Sequence, residues 1–592
     1  MLRSDPVEAP EPALVCQGRQ DFHTLPDDRG LYHVVAEGVR LRSHHPALSR
    51  RTEHGWTDLT FAEFGRDVRA LALTLLGWGV RHGDRMAILG RNSYEWAVAD
   101  FAALSIGAIT VPVYPTASED QVRHVLTDSG ATYGFAELPE QQAMLTRLGA
   151  ARWLAPVQLL ADVPALAVDN PKLTPAFVER STSVVAEDVA TIVYTSGTTG
   201  LPKGCVLTHR NMFASSANTV RHLESLFLPD SASTLLCLPL SHVFGRSMLL
   251  ACLFAGTRAG LLVGIPDLFA ALPEFRPTFL ALVPYALEKI RKLSRGAVNA
   301  RAEQVAVEYG RALAVQDEVE PALAAEHRSL DRTVFTQVRD SFGGRFGHVI
   351  CGGASLDTST QAFFAGLGVQ ILGAYGLTEA ATAVTINEVH ANRAGSVGRP
   401  IPGTTVAIAA DEEVLVGGLN ASPGYWPLPE GATPGWLHTG DLGRLDEDGY
   451  LHITGRRKEI LVTSGGKNVS PTPLEDRVRL HPLVSNCMVV GEARSFVTAL
   501  VTLDAPALAK WAAQQGIKLA PRSMAEVPEL VTEVQLAIDD ANALVSRAES
   551  IRAFRLLDGD FTVDNGQLTP SMKLRRAVIE GAYPAALTAL YG

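Results

Sequence analysis

From Thr57 onward the chain alternates between two hydrophobic periods, and this alternation limits the folds open to it more than any other feature. Residues 61–78 carry apolar side chains at helical spacing, 85–89 form a short apolar run, and 94–106 return to the helical period. Helices alternating with β-branched runs predict parallel sheets with crossover helices, an α/β fold. Further strands are expected at 108–113, 131–135, 189–195, 234–238, 260–263, 279–283 and 348–351. The rhythm breaks over 287–340, where Arg, Glu and Ala recur without a strand signal; two or three inserted surface helices are expected there. After Gly398 short strands with turn signals take over, including a hairpin around Asp446-Glu447-Asp448-Gly449. Beyond Gly455 comes a smaller unit, with paired strands at 487–490 and 497–503 and helical stretches at 530–548 and 572–591. The expected organisation is therefore threefold. Residues 1–30 form a flexible N-terminal extension, and 31–455 a large N-terminal body of several subdomains with parallel sheets, helices and a β-rich subdomain. Residues 456–592 form a small α+β C-terminal domain.

Composition removes several function classes. With 47% hydrophobic and 19% charged residues over 592 positions, there is apolar material for several cores and no case for general disorder. Lys and Arg total 52 against 63 Asp and Glu, a formal charge of −11, which argues against a nucleic-acid partner. The six cysteines, Cys16, Cys205, Cys237, Cys252, Cys351 and Cys487, are scattered singly and read as reduced thiols of a cytoplasmic protein. The first twenty residues lack the apolar core of a secretory signal. The uncharged stretches 101–118 and 358–378 are broken by glycines, prolines and glutamines, so no transmembrane segment is expected, and peripheral membrane contact is left open.

The most informative stretch is 190–209. A β-branched strand leads into Thr195-Ser196-Gly197-Thr198-Thr199-Gly200-Leu201-Pro202-Lys203-Gly204, after which a helix is expected with Thr208 as its N-cap. Glycines that turn backbone N–H groups inward, four hydroxyls and a lysine equip this loop to wrap a phosphate. The kinase and GTPase loop pattern Gly-x-x-x-x-Gly-Lys-Ser/Thr fails here, so this is a different phosphate loop.

At this point the chain resembles the adenylate-forming enzymes, which include acyl-CoA synthetases, luciferases and the adenylation domains of peptide synthetases. The resemblance runs from about Trp56 to Lys573 and is strongest toward bacterial long-chain fatty acyl-CoA ligases. Further motifs come in order. Ile371-Leu372-Gly373-Ala374-Tyr375-Gly376-Leu377-Thr378-Glu379 reads as an apolar strand running into a glycine turn with a hydroxyl and a carboxylate beside it, which suits Mg²⁺ next to phosphate. The resemblance implies that Glu379 holds the metal, Thr378 contacts the α-phosphate and Tyr375 stacks on adenine. Gly352-Gly353-Ala354, at the end of the strand expected at 348–351, corresponds to the adenine pocket, with Ala374 and Gly376 nearby. Asp441 and Arg456 are implied at the ribose, and Lys458 at the interdomain hinge.

Two motifs belong to the C-terminal unit. The resemblance places Gly465, Gly466 and Lys467 on the face presented when CoA attacks. It makes Lys573, in Leu568-Thr569-Pro570-Ser571-Met572-Lys573 and expected at a helix start, the catalytic lysine. His242 falls where the family has an aromatic or histidine beside the acyl and phosphate groups. Glycine at 417–418, where relatives often carry arginine, and Gly373-Ala374, where many have an acid, are departures.

The function expected from this resemblance is a two-step ligase. A long-chain fatty acid and Mg·ATP give acyl-AMP and pyrophosphate, and CoA then displaces AMP. The alternatives are an acyl-AMP ligase delivering to an acyl carrier protein thiol, a CoA ligase for an aryl or medium-chain acid, and a non-catalytic nucleotide-binding protein.

Overall fold

In the computed structural model of the protein, residues 14–195, 202–295, 298–314, 318–429, 431–433, 435–517, 523–569 and 572–591 are described. The first alternating region folds as anticipated. Arg85–Leu89 lies between Ile109–Val113 and Tyr133–Ala136, all parallel, and Val189–Thr195 joins Ile109–Val113 on its far side. The helices Phe61–Gly77 and Tyr94–Ser105 share a core with Met86 and Ile88 from this sheet. Thr60 and Ser93 start them by accepting backbone N–H groups of the first turn, the first as a full capping box with Glu63. A buried ion pair braces the sheet: Arg246 Nε donates to Asp100 Oδ2 at 2.9 Å and Nη1 to Thr191 Oγ1 at 2.7 Å, tying helix Val243–Ala255 to the strand that ends at Thr195.

Beyond Thr195 the structure differs from expectation. The chain does not pass from loop to helix but returns as the antiparallel strand Lys203–Thr208, with Lys203 opposite Thr195. Only then does Thr208 cap the helix His209–His222. The apolar Cys205, Val206 and Leu207 are all buried, which is why they pair rather than wind.

The second sheet repeats this plan. Phe279–Leu282, His348–Cys351 and the first half of Gln370–Leu377 are parallel; Thr382–Ile386 then doubles back antiparallel against the second half. The glycine turn expected at 373–376 is therefore continuous strand, with a bulge between Tyr375 and Gly376. Glycine at 376 serves close approach instead: a Cβ there would lie 1.5 Å from the Thr382 carbonyl oxygen.

The region 287–340 also departs from the surface-helix expectation. Its helices Pro284–Ser294, Ala300–Ala314 and Pro321–Leu330 are followed by helical turns to Ser341. Ala300–Ala314 is a packed helix whose Ala302, Val305 and Ala306 are fully buried. A Cβ on Gly310 would meet the Ala362 carbonyl at 1.9 Å, and one on Gly366 the Ala306 carbonyl at 2.0 Å, so this helix crosses Thr358–Gly366 at backbone contact. Small residues carry little apolar signal, which hides the packing face in the sequence.

The β-rich subdomain is one antiparallel sheet: Leu14–Gln17, Thr404–Ile408, Glu413–Gly418, Leu437–Leu445 and Leu451–Arg456. Its first strand corrects the expectation for residues 1–30. The described part of that segment is tied to the body, through pairing with Thr404–Ile408, a 2.7 Å bond from His23 N–H to Asn218 Oδ1, and a fully buried Leu25. After Arg456 the apolar cores contain only C-terminal residues, around the strands Val484–Val490, Val497–Leu503 and Ile551–Leu556. Among the described residues no helix is long and apolar enough to cross a membrane.

Candidate active site

The helix Pro471–Arg479 docks the C-terminal unit on the body. Arg479 reaches Glu288 at 3.3 Å, Arg477 reaches Asp357 at 3.6 Å, and Asp476 accepts the Ser355 hydroxyl. Lys292 adds a bond from the body, donating to the Val484 carbonyl at 2.7 Å. This docking brings Lys573 to the ends of the body's strands. It stands on a tight turn, not at a helix start: Met572 has φ +64°, Thr569 N–H donates to the Lys573 carbonyl at 2.8 Å, and the helix begins only at Arg576. Lys573 is exposed, on the C-terminal side of a cleft from which Asp441, Arg456, Glu459 and Glu379 act on its charge. Desolvation by the surrounding protein pushes its pKa below the ordinary lysine value. Arg456 adds to the push; Asp441, Glu459 and Glu379 oppose it.

Asp441, Arg456 and Tyr375 form one hydrogen-bonded group in this cleft. Tyr375 OH donates to Asp441 Oδ2 at 2.7 Å and Arg456 Nε to Oδ1 at 2.7 Å. Each carboxylate oxygen retains a lone pair for a further donor. Burial, then the charge of Asp441, raises the Tyr375 hydroxyl pKa, so it stays a donor. The expected stacking role for Tyr375 is thus joined by a polar one, with its hydroxyl orienting Asp441.

His242 lies on the same side. Its Nδ1 accepts the Phe244 N–H at 3.1 Å, capping helix Val243–Ala255, and this assigns the proton to Nε2. Burial, helped by the charge of Lys573, pushes it down to about 4, so it is a neutral donor at pH 7.

Thr378 and Glu379 sit on a short helical turn where the second sheet doubles back. Directly after it Ala381 and Thr382 hold φ of +48° and +106°, a backbone that L residues rarely adopt. Ser247 Oγ anchors both, at 3.0 Å from the Ala381 carbonyl and 2.9 Å from Thr382 Oγ1. Glu379 Oε1 accepts the Tyr425 hydroxyl at 2.6 Å. Among the described residues no cluster of three or more His, Cys, Asp or Glu could cage a metal. A single carboxylate suits Mg²⁺, which commonly takes one or two carboxylates plus substrate phosphate oxygens.

The remaining expected residues divide. Thr195 and Lys203 face each other across the hairpin mouth, with Lys203 exposed; Ser196, Gly197, Thr198, Thr199 and Gly200 lie outside the described residues. Gly352, Gly353 and Ala354 leave the carboxyl end of His348–Cys351, and a Cβ on Gly352 would come within 3.0 Å of the Ala374 carbonyl, so these two segments adjoin. Lys458 is exposed on the turn Arg457–Glu459 after the last body strand. Gly465, Gly466 and Lys467 form an exposed turn of the C-terminal unit, whose bonds go to Thr463 and Glu549 of that same unit. The structure thus brings Lys573 to the cleft and not this loop. Tyr425 and Glu459 carry no signal in the sequence. Tyr425 is 46 positions from Glu379, and no local period marks it; only its pairing beside Cys205 reveals it.

Comparison with known proteins shows the family. A family model described as AMP-binding enzyme matches residues 35–426, and one described as AMP-binding enzyme C-terminal domain matches 458–592. The chain is 39% identical to the long-chain-fatty-acid–CoA ligase FadD15 of Mycobacterium tuberculosis, over 94% of this chain and 96% of that one. It is 28% identical to the long-chain-fatty-acid–CoA ligase ACSBG2 of Rattus norvegicus, over 97% and 94%. The solved structure of the anthranilate CoA ligase AuaEII in complex with anthranoyl-AMP shares the fold, with TM-score 0.71 and 19% identity, covering 95% of this chain and 99% of that one. The A domain of carboxylic acid reductase from Segniliparus rugosus shares it too, with TM-score 0.71 and 20% identity, covering 95% and 94%. With both its body and its C-terminal unit matched, the chain belongs to the AMP-binding enzyme family.

Proposed function

We propose that the protein is an acid–thiol ligase that activates a long-chain fatty acid with ATP, forming acyl-AMP and pyrophosphate, and then transfers the acyl group to CoA in the cytoplasm. One observation carries this reading: a cleft between the two units gathers Lys573, Arg456, Asp441, Tyr375 and a lone metal-suited carboxylate, Glu379. Near-full-length similarity to long-chain-fatty-acid–CoA ligases supports the acyl class.

In the first step the fatty carboxylate attacks the α-phosphorus and pyrophosphate leaves. Negative charge grows at the α-phosphate, and an ammonium that meets it mainly in the transition state is worth about 3 kcal/mol. Lys573 supplies that ammonium from the C-terminal unit. Lys203 and the hydroxyl-rich loop from Thr195 to Gly204 receive the phosphates, and Gly352, Gly353, Ala354 and Ala374 border the base. Asp441, held by Arg456 and Tyr375, accepts the ribose hydroxyls. His242 donates through Nε2 beside the reacting carboxylate. Glu379, with Thr378 alongside, would hold Mg²⁺, which when bound would neutralise charge on the departing pyrophosphate.

In the second step the unit 456–592 turns about Lys458 against the body 31–455. Lys573 withdraws, and the Gly465-Gly466-Lys467 turn takes its place, its glycines leaving room for the pantetheine arm. One cleft thereby serves two transition states.

The test is a panel of carboxylic acids given to the purified protein with Mg·ATP, scored by pyrophosphate release with and without CoA. Long-chain acids are expected to release most, and thioester to form when CoA is added. Acyl-adenylate that accumulates in the presence of CoA would transfer the second step to a carrier-protein thiol. A lack of acid-dependent release would sink the ligase reading.

A further inference from the structure

Glu379 is held at two points by one short strap of chain. Its backbone carbonyl accepts the Ser422 N–H at 2.8 Å, and its Oε1 accepts the Tyr425 hydroxyl at 2.6 Å. The strap is in turn fastened to the hairpin strand that carries Lys203. Gly424 and Tyr425 pair antiparallel with Val206 and Cys205, Ser422 Oγ donates to the Val206 carbonyl at 2.7 Å, and Trp426 N–H donates to the Gly204 carbonyl at 2.7 Å. The Tyr425 ring also meets Lys203, whose Nζ lies 5.6 Å from the ring centroid, within reach of a cation–π contact. One side chain therefore touches the carboxylate with its hydroxyl and the lysine with its ring. These two groups come from different sheets and have no other link of this kind among the described residues.

We propose that Tyr425 is the positioning residue of the phosphate end of the cleft. Its hydroxyl occupies Glu379 Oε1 and locks the side chain, leaving Oε2 for the metal, while its ring fixes the resting place of Lys203 beside the same phosphates. The inference rests on the adenylation chemistry proposed above.

Tyr425→Phe keeps the ring and deletes the hydroxyl. Loss of a partner that orients a metal-binding carboxylate commonly weakens metal affinity about 10- to 100-fold. The half-saturating Mg²⁺ concentration for acid-dependent ATP–pyrophosphate exchange is expected to rise roughly tenfold. In calorimetry, ATP affinity should fall by a similar factor with Mg²⁺ present and stay at the wild-type value in EDTA. In a Glu379→Gln background the same substitution should change the Mg²⁺ curve less than about twofold. Ser422→Ala, which loosens the other end of the strap, is expected to move the curve the same way by less, and it serves where the Phe variant melts early. An unchanged Mg²⁺ curve in both variants, or equal loss of ATP affinity with Mg²⁺ and with EDTA, overturns the inference. A wild-type protein without acid-dependent exchange would instead overturn the ligase reading on which it rests.

Discussion

Arg479→Met tests whether the docking of helix Pro471–Arg479 selects the first half-reaction. Arg479 donates to Glu288 of the body at 3.3 Å and to Asp476 of its own helix at 2.7 Å. Asp476 accepts the hydroxyl of Ser355, the residue directly after the Gly352-Gly353-Ala354 loop that is proposed to border the base. The Glu288 and Asp476 side chains are 7% and 9% exposed and that of Arg479 20%, a far drier setting than the surface pairs worth under about 1 kcal/mol. A charge-assisted hydrogen bond contributes about 1.5–3 kcal/mol, and 3.3 Å is at its long end, so the Glu288 contact is worth about 2 kcal/mol to docking. The Asp476 bond lies within the C-terminal unit and survives undocking, so it adds nothing to the difference. About 2 kcal/mol lowers the docked-to-undocked ratio about thirtyfold. In the mechanism proposed above, ATP–pyrophosphate exchange needs Lys573 in the cleft and thioester formation from preformed acyl-adenylate does not. Exchange is therefore expected to fall by up to about 30-fold while the thioester half-reaction stays within about twofold. Glu288→Gln should act alike, and the double variant should be no worse than Arg479→Met alone, since one interaction is lost only once. Equal losses in both half-reactions, or losses that multiply in the double variant, would refute the argument.

Lys573→Ala should reduce adenylate formation by about two orders of magnitude, equivalent to about 3 kcal/mol, with far less effect on preformed acyl-adenylate and CoA; equal loss in the two assays removes its assigned role. Burial pushes His209 down to about 4, below the roughly 6.5 of an unfolded chain. Between these values the unfolded chain binds a proton that the folded one refuses, so the stability from neutral His209 is complete above about pH 6.5 and is lost as pH falls toward 4. Denaturant unfolding of the body should therefore show a pH slope across this window that His209→Gln flattens, by on the order of 3 kcal/mol in total; an unaltered slope counts against it. Gly376→Ala must push a Cβ against the Thr382 carbonyl, where only backbone can yield. It should lower the melting temperature and abolish exchange, since overpacking costs about 1–3 kcal/mol even where side chains can give way; a wild-type melt with wild-type exchange would show the strand pairing to be wrong.

Short buried strands such as 85–89, 348–351 and 497–503 are legible in the sequence because nearly every residue in them is apolar or β-branched, and the α/β class comes from their alternation with helices. Asp441, Arg456 and Lys573 carry no local signal that separates them from a turn acid and surface cations; resemblance alone selects them, and the docking contacts show what unites them. The packed face of Ala300–Ala314 is hidden because Ala and Gly bring helices together without adding hydrophobicity. Tyr425 is hidden because its partner is distant in sequence and a two-residue strand has no period.

The hairpin at Thr195–Lys203 and the reversal at Leu377–Thr382 depart from expectation for a shared reason, and that reason bears on function. Hydrophobic period reports whether a segment is strand but not the direction in which it pairs. A parallel partner needs a crossover of a dozen residues or more, whereas an antiparallel return needs only a tight turn. In both sheets the parallel run gives way to such a return, so each turn falls at the carboxyl end of a parallel strand, where α/β sheets bind ligands. Thr195 and Lys203 end the paired strands at one reversal, and Thr378 and Glu379 sit in the other. Two reversals of chain direction thus bring Lys203 and Glu379, from separate sheets, to the same Tyr425 side chain. The strap through Ser422 and Tyr425 is what ties the two turns together, so substitutions there should disturb metal and phosphate binding before they disturb the fold.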